Sequence, residues 1–172
     1  MGRALKVTGF VLLAGVVGIQ AMRPDRTNPH TAPERHVTAR IPISLEASAV
    51  LDRSCRDCHS NETRWPWYTE VAPMSWFVAN HVHQGRSHLN YSEWDKYPTP
   101  KAAHKLEEMC ENARMGDMPL PSYLWIHRGS KLSPADIDAL CAWTTAARAA
   151  LVQPAEGQSQ AGQEGAPETE GH

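Results

Sequence analysis

No run of alternating apolar residues marks a strand, no segment repeats another, and no second closely spaced cysteine pair accompanies the first in these 172 residues. The first two absences remove sheet-based and repeat architectures. The third counts against a structural zinc site, which needs a second ligand pair. Positive charge is not concentrated either: the formal net charge is -2, and no basic face large enough for nucleic acid is visible. What remains is a chain able to bury one modest core, 41% hydrophobic and 21% charged.

The charge that is present is uneven. Residues 1–40 hold six Arg/Lys and two acids, whereas the last twenty residues hold four acids and no base. Arg3 and Lys6 precede "VTGFVLLAGVVGIQA", Val7 to Ala21, an apolar to neutral run suited to the core of an export signal. With Ala4, Leu5 and Met22 added, the run also reaches the length of an uncleaved membrane anchor. Residues 1–22 are therefore read as a signal peptide or membrane anchor. Residues 23–42 hold four prolines and no apolar period, and are read as an extended tether. From Gln153 the chain is Gly, Gln, Glu, Ala and Pro with nothing to bury, so residues 153–172 are expected to be a disordered acidic tail.

Between them, residues 43–152 read as one all-α domain. Ser44 is placed to cap a helix with Ala47, Val50, Leu51 and Ser54 on one stripe, delivering Cys55, Cys58 and His59 at its end. A second helix is expected from Pro73, with Phe77, Val78, His81 and Val82 on one side and Gly85 as its stop. A third is expected from Pro100, capped by Thr99, through Leu106 and Cys110 to Gly116. The fourth opens on Ser133, Pro134 and Asp136 and keeps a stripe from Ile137 to Leu151.

The chemistry concentrates in "SCRDCHSNETRWPW", Ser54 to Trp67. C-x-x-C-H is the pattern of covalent haem attachment. Two thiols one helical turn apart reach the two vinyl groups of a porphyrin edge, and the adjacent imidazole binds the iron. A zinc half-site and a thioredoxin-like redox pair compete. Cys110 and Cys141 are single cysteines far apart, and no βαβ setting is present. The export signal agrees with haem c, which is attached outside the bacterial cytoplasmic membrane. The periplasmic face of the inner membrane, or the periplasm, is the expected location.

For the sixth iron ligand Met118, in the "GDMPLPSY" loop between the third and fourth helices, is the first candidate, with His81 and His127 as alternatives. His83, His88 and His104 are expected on polar faces, and His30, His36 and His172 in segments without order. Trp65, Trp67, Tyr68, Trp76 and Trp94 suit the walls of a flat ring, and Arg86, then Arg64, suits its propionates. Cys110 and Cys141, the cysteines left over, are candidates for a disulfide in an oxidising compartment.

Four blocks, "CRDCHSNETRWPWY", "APMSWFVANHVHQGRSHLNYSEW", "MPLPSYLWIH" and "LSPADIDALCAW", agree in order and spacing with a known pattern. Over about Arg40 to Ala146 the chain resembles the small bacterial haem-binding domain family with one C-x-x-C-H. The resemblance implies haem attachment at Cys55 and Cys58 and ligation by His59, and little about substrate. Tyr91 stands where the family pattern has Phe, and neither the acidic tail nor the pair Cys110 and Cys141 belongs to that pattern.

The expectation is a small cytochrome c-like helical domain around one covalent haem c and its iron, a membrane-tethered carrier of one electron for a redox partner the sequence does not identify. A haem-based sensor with a displaceable distal ligand is the alternative. A peroxidase-like enzyme, with His81 as acid/base, is the third reading.

Overall fold

The computed structural model describes residues 2–152, and the expected acidic tail lies outside the described residues. Eight α-helices are described: α1 (Gly2–Ile19), α2 (Val37–Arg40), α3 (Leu45–Ser54), α4 (Arg56–His59), α5 (Met74–His88), α6 (Thr99–Met115), α7 (Pro121–Leu124) and α8 (Pro134–Val152). Single 3-10 turns lie at Pro33–Arg35, Trp67–Glu70, Tyr91–Lys96 and Arg128–Ser130. No strand occurs among the described residues, so the all-α expectation holds.

Local signals account for several of these boundaries. Ser44 Oγ accepts the Ala47 amide at 3.2 Å, capping α3. Ser133 and Asp136 cap each other across the first turn of α8: the Ser133 amide and hydroxyl donate to Asp136 Oδ2, and the Asp136 amide donates back to Ser133 Oγ. Gly116, at φ 76°, ends α6 in the left-handed conformation that glycine adopts without strain. The start of α6 differs from expectation. Thr99 is its first residue, Pro98 occupies the cap position, and no side chain caps it.

Helices α6 and α8 pack along each other, with α3 laid against α8 and α4 against α5. Leu106, Val50 and Val37 are the largest apolar side chains in the fully buried core, with Trp143 and Leu140 packed around them. Cys110 and Cys141 are joined by a disulfide with Cα atoms 4.9 Å apart, fixing α6 to α8 at mid-length. Trp143 Nε1 donates to the Pro42 carbonyl at 3.0 Å, tying α8 to the chain's entry into the domain.

Residues 23–42 depart from the tether expectation. The stretch before Pro33 has no regular secondary structure, but it is laid onto the domain, and the far end of the segment is core: Val37 and Ile41 are buried. The packed domain therefore begins upstream of residue 43. Asn28 is the hub of the attachment. Its Nδ2 donates to the Thr63 carbonyl, and its Oδ1 accepts from Trp65 Nε1 and from Arg86. Asn61 Nδ2 donates to Thr31 Oγ1 at 2.7 Å. His36, expected in an unordered segment, instead accepts the Thr38 amide as the cap of α2. A segment without apolar periodicity has been held by side-chain hydrogen bonds.

Helix α1 is exposed along its length except at its last residue, and by length and composition alone it could cross a membrane, with a mean hydropathy of 1.6. An export signal has the same properties.

Candidate functional site

The motif is not simply the end of α3, as the sequence predicts. Cys55 leaves helical geometry at φ -126° and ψ -35°, so α3 stops at Ser54 and Arg56–His59 form a separate turn, α4. Within that turn the amides of Cys58 and His59 both donate to the Cys55 carbonyl. The break re-aims both thiols and the imidazole into one cavity of about 450 Å³, bounded by α4, α5, α6 and the loop after α6. That volume is in the range of small-molecule and cofactor sites.

His59 is oriented by main chain. Its Nδ1 lies 3.1 Å from the carbonyl oxygens of both Gly85 and Leu89. A carbonyl can only accept, so Nδ1 carries the proton and Nε2 holds the lone pair. Burial lowers the pKa of the ring, outweighing the two backbone bonds that raise it, and His88 and Lys105 lower it further. The imidazole is thus neutral near pH 7, in the state that binds metal.

Both thiols are protonated as well. Burial pushes Cys55 up to about 11, partly offset by the Tyr91 hydroxyl, and burial with the Asp57 charge pushes Cys58 up to about 11.

Gly85 explains the closeness of α4 and α5. A Cβ at this position would overlap the Cys58 carbonyl oxygen. Its expected role as a helix stop is wrong, because α5 continues through it to His88. The residue is a place where two backbones touch.

Met118 lines the cavity, half-exposed, from the loop that Gly116 opens. His81 lines it too, with Nδ1 bonded to the Phe77 carbonyl at 2.8 Å. His127 does not reach it. It stacks on Tyr123 with centroids 4.2 Å apart, and its Nε2 meets the Tyr68 hydroxyl at 2.6 Å.

Four further expected contacts are not found. Arg86 spends its guanidinium on the Ser60 and Thr27 carbonyls, Asn28 Oδ1 and Thr63 Oγ1, all at 2.7–2.9 Å, and does not line the cavity. It clamps residues 27 and 28 to the end of the motif. Trp65 bonds Asn28, and Trp94 is buried in the core against Tyr97. Arg64 pairs with Asp57.

The actual wall is Tyr91, Leu89, Met109, Leu120, Tyr123 and Leu140, and the cationic side chain on it is Lys105, paired with Glu108 at 2.6 Å. His88, expected on a solvated face, also lines it. Of these, only Tyr91 carried a sequence signal, as a departure from the expected Phe.

The residues fit a haem with this donor set. Two thiols, a neutral imidazole with a free Nε2 and a thioether share one cavity with an apolar wall, and the backbone has been brought close by a glycine to make it. Among the described residues no group of three or more His, Cys, Asp or Glu side chains could hold a metal ion.

No curated protein and no solved structure matches the chain. A family model described as a haem-binding domain matches residues 14–146, well over half of the chain and the whole of the cavity described above. The chain belongs to the haem-binding domain family.

Proposed function

We propose that the protein is a c-type cytochrome, anchored by α1 at the periplasmic face of the inner membrane, that carries one electron on a single covalent haem. The observation that carries this reading is the convergence of Cys55, Cys58, His59 and Met118 on one cavity. Bound there, haem supplies a one-electron iron couple.

Each side chain has a separate task. Cys55 and Cys58 are the attachment thiols, and α4 keeps them one turn apart. His59 would hold the iron through Nε2, because Gly85 and Leu89 occupy Nδ1. Met118 would offer a soft sulfur to the iron from a loop whose flanking helices, α6 and α8, are joined by the disulfide. Lys105 and His88, which line the cavity as Arg86 does not, would be the polar partners for the propionates. The anchor reading is supported by the end of α1, where Gln20 and Ala72 bond each other in both directions.

The sensor reading has one observation in its favour: His81 lines the same cavity as a half-exposed Met118, so the distal position has two claimants. The spectrum of the reduced holoprotein with and without carbon monoxide separates the two. A spectrum that does not respond supports the carrier. A rapid shift to a carbon monoxide adduct overturns it in favour of the sensor.

A further inference from the structure

The C-terminal end of α1 is gripped by the haem domain. Gln20 accepts the Ala72 amide at 2.9 Å and donates to the Ala72 carbonyl at 3.3 Å. Trp76 Nε1 donates to the Met22 carbonyl at 2.6 Å. Arg23 and Arg26 both pair with Glu70. All these partners lie in one short stretch, Glu70 to Trp76, which runs from the end of the 3-10 turn Trp67–Glu70 into the start of α5.

The same part of the chain leaves apolar side chains exposed: Trp67 is 78% exposed, Val71 48% and Met74 37%. Such side chains are costly in water and favoured at a membrane interface, above all tryptophan, whose ring is apolar and whose N–H is polar. The eighteen residues of α1 span ~27 Å at 1.5 Å per residue, about the thickness of a hydrocarbon core. Gln20 then marks the level at which the chain leaves the hydrocarbon. Ala72, in hydrogen-bond contact with Gln20, marks the same level for the domain.

We infer that the edge carrying Trp67, Val71 and Met74 sits in the headgroup layer of the bilayer that α1 enters. The haem domain is thereby seated on the membrane surface in one orientation. The inference rests on the reading of α1 as an uncleaved anchor. The occupant of this edge is lipid, because Ala72, which bonds Gln20 just past the end of the apolar helix, lies in the chain between Val71 and Met74 and close after Trp67.

The test is lipid photolabelling of the full-chain holoprotein. It is reconstituted in vesicles of phosphatidylethanolamine and phosphatidylglycerol doped with a phospholipid bearing a diazirine in its headgroup, and adducts are mapped by peptide mass spectrometry. Adducts at the end of α1 and on the peptide covering residues 67–74 are expected, and the double variant Trp67→Ser, Val71→Ser should lose the second set several-fold while keeping the first. Adducts on α1 alone overturn the seating and leave the anchor intact. Adducts on neither overturn the anchor reading itself. A double variant that labels on residues 67–74 as strongly as the wild type overturns the role given to those side chains.

Discussion

Gly85 meets the motif twice: its carbonyl oxygen lies 3.1 Å from the His59 imidazole Nδ1, and its missing side chain leaves room for the Cys58 carbonyl. One residue of α5 thus sets both the tautomer of the proposed ligand and the approach of the turn that carries it.

Gly85→Ala tests this by sign. Glycine inside a helix costs about 1 kcal/mol relative to alanine, so propensity alone would make the variant more stable. The overlap with the Cys58 carbonyl should reverse that, destabilising by roughly 1–3 kcal/mol, since neither backbone is free to move. Denaturant unfolding of the holoprotein and its yield of attached haem are the measurements. A stabilised, fully loaded variant sinks the argument.

Covalent attachment predicts that haem stays with the denatured polypeptide through acid extraction. The double variant Cys55→Ala, Cys58→Ala should release it. Free extraction from the wild type would remove the c-type assignment.

Met118→Ala should abolish the weak sulfur-to-iron charge-transfer band of the ferric protein and lower its potential. His127→Ala should leave both unchanged, because its ring is held by Tyr68 and Tyr123 outside the cavity. If Met118→Ala changes nothing and His81→Ala does, the sixth ligand is His81.

Asp136 gives a pH-dependent contribution with a definite sign. Its bonds to the Ser133 amide and hydroxyl, helped by Arg53, hold its pKa at about 2, below the usual carboxylate value of 3.8. A depressed folded-state pKa stabilises fully above about pH 4, and the stabilisation fades as the pH falls toward 2. Asp136→Asn should therefore cost about 1 kcal/mol at pH 7, the worth of a helix cap, and progressively less below pH 4. Parallel chemical denaturation at the two pH values checks it.

The bridge between Cys110 and Cys141 closes a loop of 31 residues, worth about 3–4 kcal/mol in the chain-entropy model. Cys110→Ala with Cys141→Ala should lower the unfolding midpoint accordingly, without loss of attached haem. Alkylation of the unreduced wild type followed by mass spectrometry should find neither cysteine modified.

What could be read in advance was local. Ser44, Gly116 and the Ser133–Asp136 pair act within one turn of their own helices, and the C-x-x-C-H spacing also lies within one turn. What could not be read depends on partners far along the chain. Gly85 looks like a helix stop until Cys58 is placed against it. Arg86 looks like a free cation until Thr27 and Asn28 are found beneath it, in a segment whose composition gives no sign of packing. The tryptophans were the plainest aromatic signal, yet Tyr91 and Tyr123 face the cavity, because wall positions follow from how α5, α6 and their loops meet and not from ring size.

The grip of Ala72 and Trp76 on the end of α1 changes what the N-terminal segment is mechanically. A leash of twenty free residues would let the domain sample a hemisphere tens of ångströms across and meet partners at many heights. With α1 as the proposed anchor, a bracket would leave two freedoms, drift in the plane of the bilayer and rotation about its normal. An electron partner would then need its own docking face at one fixed height, and encounters would scale with surface density on the membrane, not with concentration in the surrounding volume.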